Sequence, residues 1–190
     1  MKRYENKEQF MKKVIVFLAD GTEEIEALAP VDMLRRAGAD VTFAGAGKKE
    51  CTCSHGVKIT ADKTAAECEC ESYDMVVLPG GMPGTLVLGA DASVEKITKK
   101  AFAEGKIVAA ICAAPSVLGG WGMLEGKKAT CYPGFEEKLA GAVLAEKKPV
   151  RDGNIITAPG AGAAMDFALM LVSALYGGEA SENLRKAVLA

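Results

Sequence analysis

The sequence lacks the features that direct a protein to a membrane, a secretory route or a nucleic acid. No apolar run approaches the roughly 20 residues of a membrane-spanning helix. The longest near the start is VIVFLA, residues 14–19. The opening MKRYENKEQFMKK contains no apolar signal segment, so we expect a cytoplasmic protein. The formal net charge is only −2, which gives no reason to expect a nucleic acid or an anionic membrane as a partner.

A disulfide framework and a structural metal site are also not expected, although the chain has six cysteines. A cytosolic protein of this size normally keeps its thiols reduced. Four of the cysteines form two C-x-C pairs, Cys51 with Cys53 and Cys68 with Cys70. Structural zinc motifs use longer spacings, and C-x-C on a strand gives no chelating turn. We therefore expect free thiols and no bound metal.

Strands and helices alternate along the chain in the order typical of an α/β fold. The length of 190 residues suits one domain, which we place at residues 13–190, with residues 1–12 as a flexible N-terminal extension. Short apolar runs that fit buried strands lie near 14–19, 40–44, 75–78, 107–111 and 154–157. Hairpins are expected to turn at residues 55–56 and 152–153. Further along the chain we predict a helix over AAPSVLGGWGML, a short strand in KKATCYPG and a short helix over FEEKLAGA. Asp91 is expected to cap the amphipathic helix that follows it. Such alternation predicts a mostly parallel central sheet with helices on both faces.

Candidate functional residues follow three of these strands, at the sheet edge where α/β folds bind ligands. Glu23, Glu24 and Glu26 come after the first strand. The glycine-rich PGGMPG, residues 79–84, follows the third strand, and Cys112 follows the fourth. The glycine segment has neither dinucleotide-binding nor phosphate-binding spacing. It is either a tight turn or a source of backbone N–H groups for a reacting oxygen. Cys112 fits either a buried core position or a nucleophile where a strand passes into a helix.

The acidic cluster has a plain interpretation and a functional one. Carboxylates at a helix start are favoured by the helix dipole, so Glu23, Glu24 and Glu26 can form a solvated helix N-terminus. On helical spacing, however, Glu23 and Glu26 share a face that Glu24 does not. One carboxylate can therefore turn in towards the strand ends.

Four segments of the chain together resemble one known family. The chain is similar to the ThiJ/PfpI family, in the branch that contains the Parkinson-disease-associated protein deglycase and its bacterial relatives. The segments are LADGTEEIEALAPVDMLRRAGADVTFAG, YDMVVLPGGMPG, VAAICAAPSVL and AMDFALMLVSALYG. The match runs in order from about residue 13 to the C-terminal helix. The resemblance implies a flavodoxin-like three-layer α/β sandwich, a homodimer, and a reactive cysteine on a strained strand-to-helix turn.

The resemblance also implies roles for individual residues. The nucleophile falls on Cys112 and its carboxylic-acid partner on Glu26. The oxyanion donors fall on the backbone N–H groups of Gly81 and Ala113, and Gly80 is a further pocket candidate. A cysteine at a helix N-terminus gains thiolate character, so we expect the pKa of the Cys112 thiol well below its usual value of about 8.5. Burial and the nearby thiolate should raise the pKa of Glu26 and keep this carboxyl protonated.

The function implied by the resemblance is cofactor-independent cysteine chemistry. The expected substrates are 2-oxoaldehydes such as glyoxal and methylglyoxal, converted to hydroxy acids, or their early adducts on proteins and nucleotides. In the alternative, the chain is a redox-responsive stress protein or chaperone in which Cys112 is oxidised to a sulfinic acid held by Glu26. Because both functions use the same two residues, the sequence leaves both open.

Several positions depart from the family pattern. Tyr132 stands where the deglycase branch often has a histidine, and His55 aligns with an arginine that the partner subunit contributes to the pocket. Pro159 aligns with another pocket arginine, and Ala114 replaces the usual glycine of the turn after the cysteine. Tyr132 and His55 are therefore retained as pocket candidates, while the range of substrates stays open.

The scarcity of histidine disfavours two related activities. His55 is the only histidine in the chain, and in a hairpin turn it is expected to be a surface residue. A Cys–His–Glu triad of the class I glutamine amidotransferase type needs a histidine within reach of Cys112. The protease branch of the family carries its histidine directly after the cysteine, where this chain has Ala113. Neither activity is therefore expected.

Overall fold

The structure is a computed structural model that describes residues 11–146 and 148–190. Residues 1–10 of the N-terminal extension predicted over 1–12 lie outside the described residues. The strands are β1 (Lys13–Leu18), β2 (Asp40–Gly45), β3 (Glu50–Thr52), β4 (Lys58–Thr60), β5 (Lys63–Thr64), β6 (Met75–Leu78), β7 (Ile107–Ile111), β8 (Lys128–Ala129), β9 (Val143–Leu144), β10 (Val150–Asp152) and β11 (Ile155–Ala158). The α-helices are α1 (Glu24–Arg36), α2 (Gly84–Ala90), α3 (Ala92–Ala103), α4 (Pro115–Gly120), α5 (Ala164–Tyr176) and α6 (Gly178–Val188).

Seven strands form the central sheet, in the order β10-β11-β7-β6-β1-β2-β5. Neighbouring strands pair in parallel, except that β10 is antiparallel to β11. The five strands predicted from apolar runs, now β1, β2, β6, β7 and β11, all belong to this sheet. Helices cover both of its faces, so the fold is the flavodoxin-like three-layer α/β sandwich that was predicted.

The two faces of the sheet carry separate hydrophobic cores, because side chains alternate between the faces along each strand. On β1, Val14 and Val16 lie in the core that α1 and α5 cover. Ile15 and Phe17 lie in the opposite core, which α3 and α4 cover. All four side chains are fully buried, as expected for a strand that is covered on both faces.

The segment after β7 differs most from the sequence prediction. The helix predicted over AAPSVLGGWGML is restricted to α4, because Gly122 adopts a φ of 73°, a left-handed value that ends helical geometry. The short strand predicted in KKATCYPG is β8, which pairs with β9 in a separate two-stranded sheet. The helix predicted over FEEKLAGA is a single 3₁₀ turn, Glu136–Lys138. Short elements and turns therefore replace the regular structure expected between β7 and β10.

The structure contains both predicted hairpins and the predicted cap at Asp91. β3 and β4 pair antiparallel around residues 55–56, and β10 and β11 pair antiparallel as the second predicted hairpin. Asp91 caps α3 by accepting hydrogen bonds from the backbone N–H groups of Ser93 and Val94. Among the described helices, none is long and apolar enough to cross a membrane.

The strand order places the three candidate segments side by side. β7, β6 and β1 are consecutive, parallel neighbours in the sheet, so their carboxyl ends meet at one edge. The cysteine turn after β7, the glycine turn after β6 and the acidic start of α1 after β1 therefore converge there.

Candidate active site

Cys112 occupies a strained turn directly after β7. Its φ is 65°, in the left-handed region that residues with a Cβ rarely adopt. Two main-chain hydrogen bonds hold it there: the Cys112 N–H donates to the carbonyl of Ala158 at 2.9 Å, and the Tyr132 N–H donates to the Cys112 carbonyl at 2.8 Å. Such a conformation costs about 1–3 kcal/mol and persists only where surrounding contacts enforce it. The fold therefore fixes this side chain between β7 and α4.

Glu26 is the carboxyl that turns in towards this cysteine. It lies in the first turn of α1 and is fully buried. The Gly80 N–H donates to Glu26 Oε2 at 2.9 Å, whereas Oε1 has no hydrogen-bond partner among the described residues. Burial raises the pKa of Glu26 to about 7, against smaller lowering effects of the Cys112 thiol and the Gly80 N–H. This carboxyl is therefore poised to gain or lose a proton near neutral pH.

The glycine turn lets the cysteine and the carboxyl approach each other. A Cβ at Gly80 would lie 2.5 Å from the Cβ of Cys112 and 2.6 Å from Glu26 Oε2, so no side chain fits there. Gly81 adopts a φ of 91°, which glycine tolerates without strain. The backbone N–H groups of Gly81 and Ala113 both act on the Cys112 sulfur in the direction that lowers the pKa of this thiol. They are therefore candidate donors for the oxygen of a group that becomes attached to that sulfur.

The pKa of the Cys112 thiol departs from the sequence expectation. Burial, followed by the charge of Glu26, raises this pKa to about 12, while the N–H groups of Gly81 and Ala113 act in the lowering direction. The expected lowering is therefore wrong for the state in which Glu26 is ionised, because burial outweighs the N–H groups and the start of the short helix α4. The charge of Glu26 is absent while that carboxyl is protonated, so the thiol and the carboxyl titrate as a coupled pair.

Glu23 and Glu24 bind the β3–β4 hairpin, unlike Glu26. Ser54 Oγ donates to Glu23 at 2.9 Å and to Glu24 at 3.1 Å, and the backbone N–H of His55 donates to Glu24 at 2.8 Å. Burial opposes ionisation of Glu24, but hydrogen bonds from its own N–H, His55 and Ser54 lower its pKa to about 2. The shared face predicted for Glu23 and Glu26 therefore does not bring both carboxyls to the cysteine.

His55 lies in the hairpin turn against these carboxylates. Its Nδ1 is 3.1 Å from a Glu24 oxygen and 3.4 Å from a Glu23 oxygen. The hydrogen bond to Glu24 raises the pKa of His55. Within residues 11–146 and 148–190, these three side chains are the one group whose ligand atoms lie close enough together, within 4.8 Å, to hold a metal ion. The paired cysteines do not belong to it.

The remaining pocket candidate is Tyr132, and the departures from the family pattern at Pro159 and Ala114 also have defined positions. Tyr132 and Pro159 line one cavity of about 550 Å³. Ala114 is fully buried in the core beneath the turn. Sequence reasoning missed Ser54 and the carbonyl of Ala158, because a main-chain contact and a serine in a hairpin carry no distinctive pattern.

Comparison with known proteins identifies the family to which this site belongs. The sequence pattern of the DJ-1/PfpI family matches residues 12–174. The chain belongs to the DJ-1/PfpI family. Its relatives include Protein DJ-1 homolog A of Arabidopsis thaliana, which is 42% identical over 187 residues that make up 95% of this chain and 47% of that protein. The chain spans less than half the length of this relative and of Protein DJ-1 homolog B from the same plant.

Two further DJ-1/PfpI members match the chain over nearly their whole length. A solved structure titled Toxoplasma gondii DJ-1, oxidized, superposes with a TM-score of 0.91 at 38% identity, covering 94% of this chain and 98% of that one. The protein named Glutathione-independent glyoxalase DJR-1.2 of Caenorhabditis elegans is 30% identical over 175 residues, which cover 91% of this chain and 93% of that protein. Both the predicted family and the predicted fold class are thereby confirmed.

The raised pKa of Glu26 predicts how the stability of this DJ-1/PfpI chain depends on pH. Its pKa is about 7 when folded, against an ordinary value of 4.5, so its stabilising effect is complete below about pH 4.5 and is lost as the pH rises through 7. Between about pH 5 and pH 8, wild type should lose roughly 2–3 kcal/mol of unfolding free energy relative to Glu26→Gln. Urea denaturation of both proteins at the two pH values measures this difference. A constant difference would show that Glu26 titrates at its ordinary pKa.

Proposed function

We propose that the protein is a cofactor-independent cysteine enzyme that converts 2-oxoaldehydes to 2-hydroxy acids. The observation that carries this proposal is the juxtaposition of a fully buried, protonatable carboxyl with a thiol on a strained turn. A thiol and a carboxyl in contact can supply both covalent catalysis and proton transfer to an aldehyde. The N–H groups of Gly81 and Ala113 supply donors for the oxygen that becomes negative.

The reaction begins when the Cys112 thiol passes its proton to the Glu26 carboxylate and the resulting thiolate adds to the aldehyde carbon. An S–C bond forms, and the electron pair of the C=O bond moves to oxygen. The N–H groups of Gly81 and Ala113 stabilise this oxygen, and protonated Glu26 donates a proton to it. The product is a hemithioacetal, and Glu26 is left as a carboxylate.

Glu26 then moves a proton between the two carbons of the former dicarbonyl. Its carboxylate removes the proton from the carbon bonded to sulfur and delivers a proton to the neighbouring carbon. The hydroxyl proton on the first carbon moves to the oxygen of its neighbour, which leaves a thioester. Water cleaves the S–C bond, and the 2-hydroxy acid and the thiol are released. One carbon is oxidised and its neighbour is reduced. The overall reaction is therefore dicarbonyl plus water to 2-hydroxy acid, and it needs no external oxidant. A carboxyl with a pKa of about 7 suits both directions of this transfer at neutral pH.

The proposal is supported by one relative and extends to bound forms of the same substrates. The Caenorhabditis elegans relative is named a glutathione-independent glyoxalase, which is the reaction class derived above. Because Cys112 is partly exposed, early 2-oxoaldehyde adducts on protein side chains and nucleotides are a second substrate group. These adducts release the same dicarbonyl unit for attack by the thiol.

Incubation of purified protein with methylglyoxal, without glutathione or added metal, tests the proposal. We expect stoichiometric formation of lactate, followed by proton NMR. In deuterium oxide, the extent of deuterium incorporation at the hydroxyl-bearing carbon reports whether the transferred proton exchanges with solvent. Loss of methylglyoxal without lactate would contradict the proposal, because simple thiol trapping consumes the aldehyde without forming the acid.

A second candidate function is redox sensing through the same cysteine. Its specific support is the Toxoplasma gondii relative, whose structure is titled as oxidized. With a peroxide as oxidant, two equivalents convert the Cys112 thiolate to a sulfinate and release two molecules of water. Protonated Glu26 can donate a hydrogen bond to that sulfinate. Peptide mass spectrometry after peroxide treatment should then find two added oxygen atoms on Cys112 and an unmodified Cys131, which is buried.

The quaternary structure and location belong to the same proposal. Ile25 and Leu28 on α1 and Val57 in the β3–β4 hairpin are exposed by 56%, 42% and 48%, and an exposed apolar group of this kind favours a homodimer interface. Light scattering should give a dimer mass that Ile25→Glu reduces to that of a monomer.

Because the reaction needs a reduced thiol, we place the protein in the cytoplasm, which fractionation of cells can test.

A further inference from the structure

A cavity beside the cysteine turn is not used by the proposed chemistry. Its volume is about 550 Å³, within the range of small-molecule pockets. Tyr132 and three prolines are among the residues that line it. The prolines are Pro133, Pro149 and Pro159. The cavity is open to solvent, and its surface is largely apolar.

Two residues of the cavity lining, Tyr132 and Pro159, are connected to Cys112 through the main chain. Tyr132 donates its backbone N–H to the carbonyl of Cys112, and Cys112 donates its own N–H to the carbonyl of Ala158. Pro159 follows Ala158 directly in the chain. The main chain of the cysteine turn is thus held between the two segments that supply Tyr132 and Pro159 to the cavity.

The ring of Tyr132 has a defined position in this cavity. A Cβ at Gly160 would lie 3.3 Å from Cδ2 and 3.8 Å from Cε2 of that ring, so one edge of the ring packs against Gly160. Half of the tyrosine surface is still exposed, at 51%. A ring that is held along one edge and is half exposed can stack against a second flat group.

The charged side chains of the lining are already paired. Lys148 Nζ lies 2.5 Å from a Glu146 oxygen, and Arg185 donates to Asp166 Oδ1 at 2.7 Å. Within the described lining, no further charged side chain is present. The described lining therefore offers a carboxylate or a phosphate no unpaired cation, whereas a neutral apolar group needs none.

From this placement we propose that Tyr132 is a specificity-determining residue that favours 2-oxoaldehydes carrying an aromatic or similarly flat apolar group. The inference rests on the proposed function, with the aldehyde carbon bonded to Cys112 and the remaining group of the substrate lying in the cavity against the tyrosine ring. Small substrates such as methylglyoxal leave the cavity unused. Dicarbonyl compounds that bear a carboxylate or a phosphate are disfavoured.

Turnover of two neutral substrates tests the inference. Wild type should convert phenylglyoxal with a kcat/KM about 10-fold or more above that for methylglyoxal, the scale of a good apolar contact in a pocket. Tyr132→Ala should lower this ratio about 10-fold, and Tyr132→Phe should keep it because the stacking surface remains. Leu144→Ala, which removes an exposed apolar side chain of β9, serves as the matched control and should leave the ratio unchanged.

A second experiment measures the same preference without turnover. Phenacyl bromide and bromoacetone both alkylate a thiolate, with formation of an S–C bond and departure of bromide. In wild type and Tyr132→Phe, we expect phenacyl bromide to alkylate Cys112 faster than bromoacetone does. The ratio of these two rates should fall about 10-fold in Tyr132→Ala.

The two experiments separate failure of the inference from failure of the proposed function. If methylglyoxal is turned over but the ratio of kcat/KM for phenylglyoxal to that for methylglyoxal is the same in wild type and Tyr132→Ala, the inference is overturned. The proposed function then still stands. Absence of turnover with either aldehyde would overturn the proposed function, and the alkylation ratios would then decide the role of Tyr132 alone. Equal alkylation ratios in wild type and Tyr132→Ala overturn that role.

Discussion

Glu26→Gln is expected to lower methylglyoxal turnover by roughly 10²- to 10⁴-fold, the usual contribution of a positioned acid–base group. Glutamine has nearly the same shape and keeps a hydrogen-bond donor towards the sulfur of Cys112. It cannot carry a proton between the two substrate carbons. The loss should therefore appear mainly in kcat, while the fold survives because removal of a buried ionisable group relieves its desolvation cost.

Cys112→Ser is expected to abolish turnover to a similar or greater extent, since a hydroxyl is far less ionised than a thiol at neutral pH. Glu23→Gln and Glu24→Gln are the matched controls, because they make the same chemical change within three residues of Glu26. Both should keep most of the activity, as these carboxylates bind the hairpin through Ser54. Full activity of Glu26→Gln, or equal losses in all three glutamine variants, would remove Glu26 from the mechanism.

Gly80→Ala is also expected to lower methylglyoxal turnover strongly. The new methyl group would lie 2.5 Å from the Cβ of Cys112 and 2.6 Å from Glu26 Oε2, so the cysteine turn and the carboxyl must move apart. Displacements of this size at reacting groups cost about 10²-fold in rate. Overpacking of a buried site also costs roughly 1–3 kcal/mol of unfolding free energy. Kinetics with methylglyoxal and urea denaturation measure the two effects.

Gly120→Ala is the matched control for the glycine substitution. Gly120 ends α4, is exposed, and has no atom within 4 Å of the position that a Cβ would occupy. The substitution should leave turnover unchanged and increase stability by up to about 1 kcal/mol, as expected when alanine replaces glycine in a helix. Wild-type turnover in Gly80→Ala would show that the cysteine and the carboxyl need not be in contact for the reaction.

The architecture could be predicted from the sequence because its signals are local and strong. Continuous apolar runs are typical of strands that are buried on both faces, and all five predicted strands lie in the central sheet. The position of Cys112 after β7 followed from one such run. The helix after it was overestimated, because apolar spacing through residues 113–124 does not reveal the left-handed φ of Gly122.

The details of the site were less accessible, because they depend on burial and on main-chain contacts. Helical spacing separated Glu24 from Glu23 and Glu26, but only the resemblance selected Glu26. The direction of the thiol pKa was wrong, since the sequence shows the helix that follows Cys112 but not how deeply the sulfur is buried. The position of the Tyr132 ring also could not be predicted, because it depends on the Gly160 backbone.

The central claim is that Cys112 and Glu26 act as one coupled pair, and the pH dependence of Cys112 alkylation tests it most directly. Iodoacetamide labelling of wild type and Glu26→Gln is followed by peptide mass spectrometry, with exposed Cys70 as the internal reference for the reagent. The wild-type rate profile should bend near pH 7, where Glu26 ionises and begins to oppose thiolate formation. In Glu26→Gln the bend should disappear, and Cys112 should react at lower pH. Superimposable profiles for Cys112 in the two proteins would contradict the account.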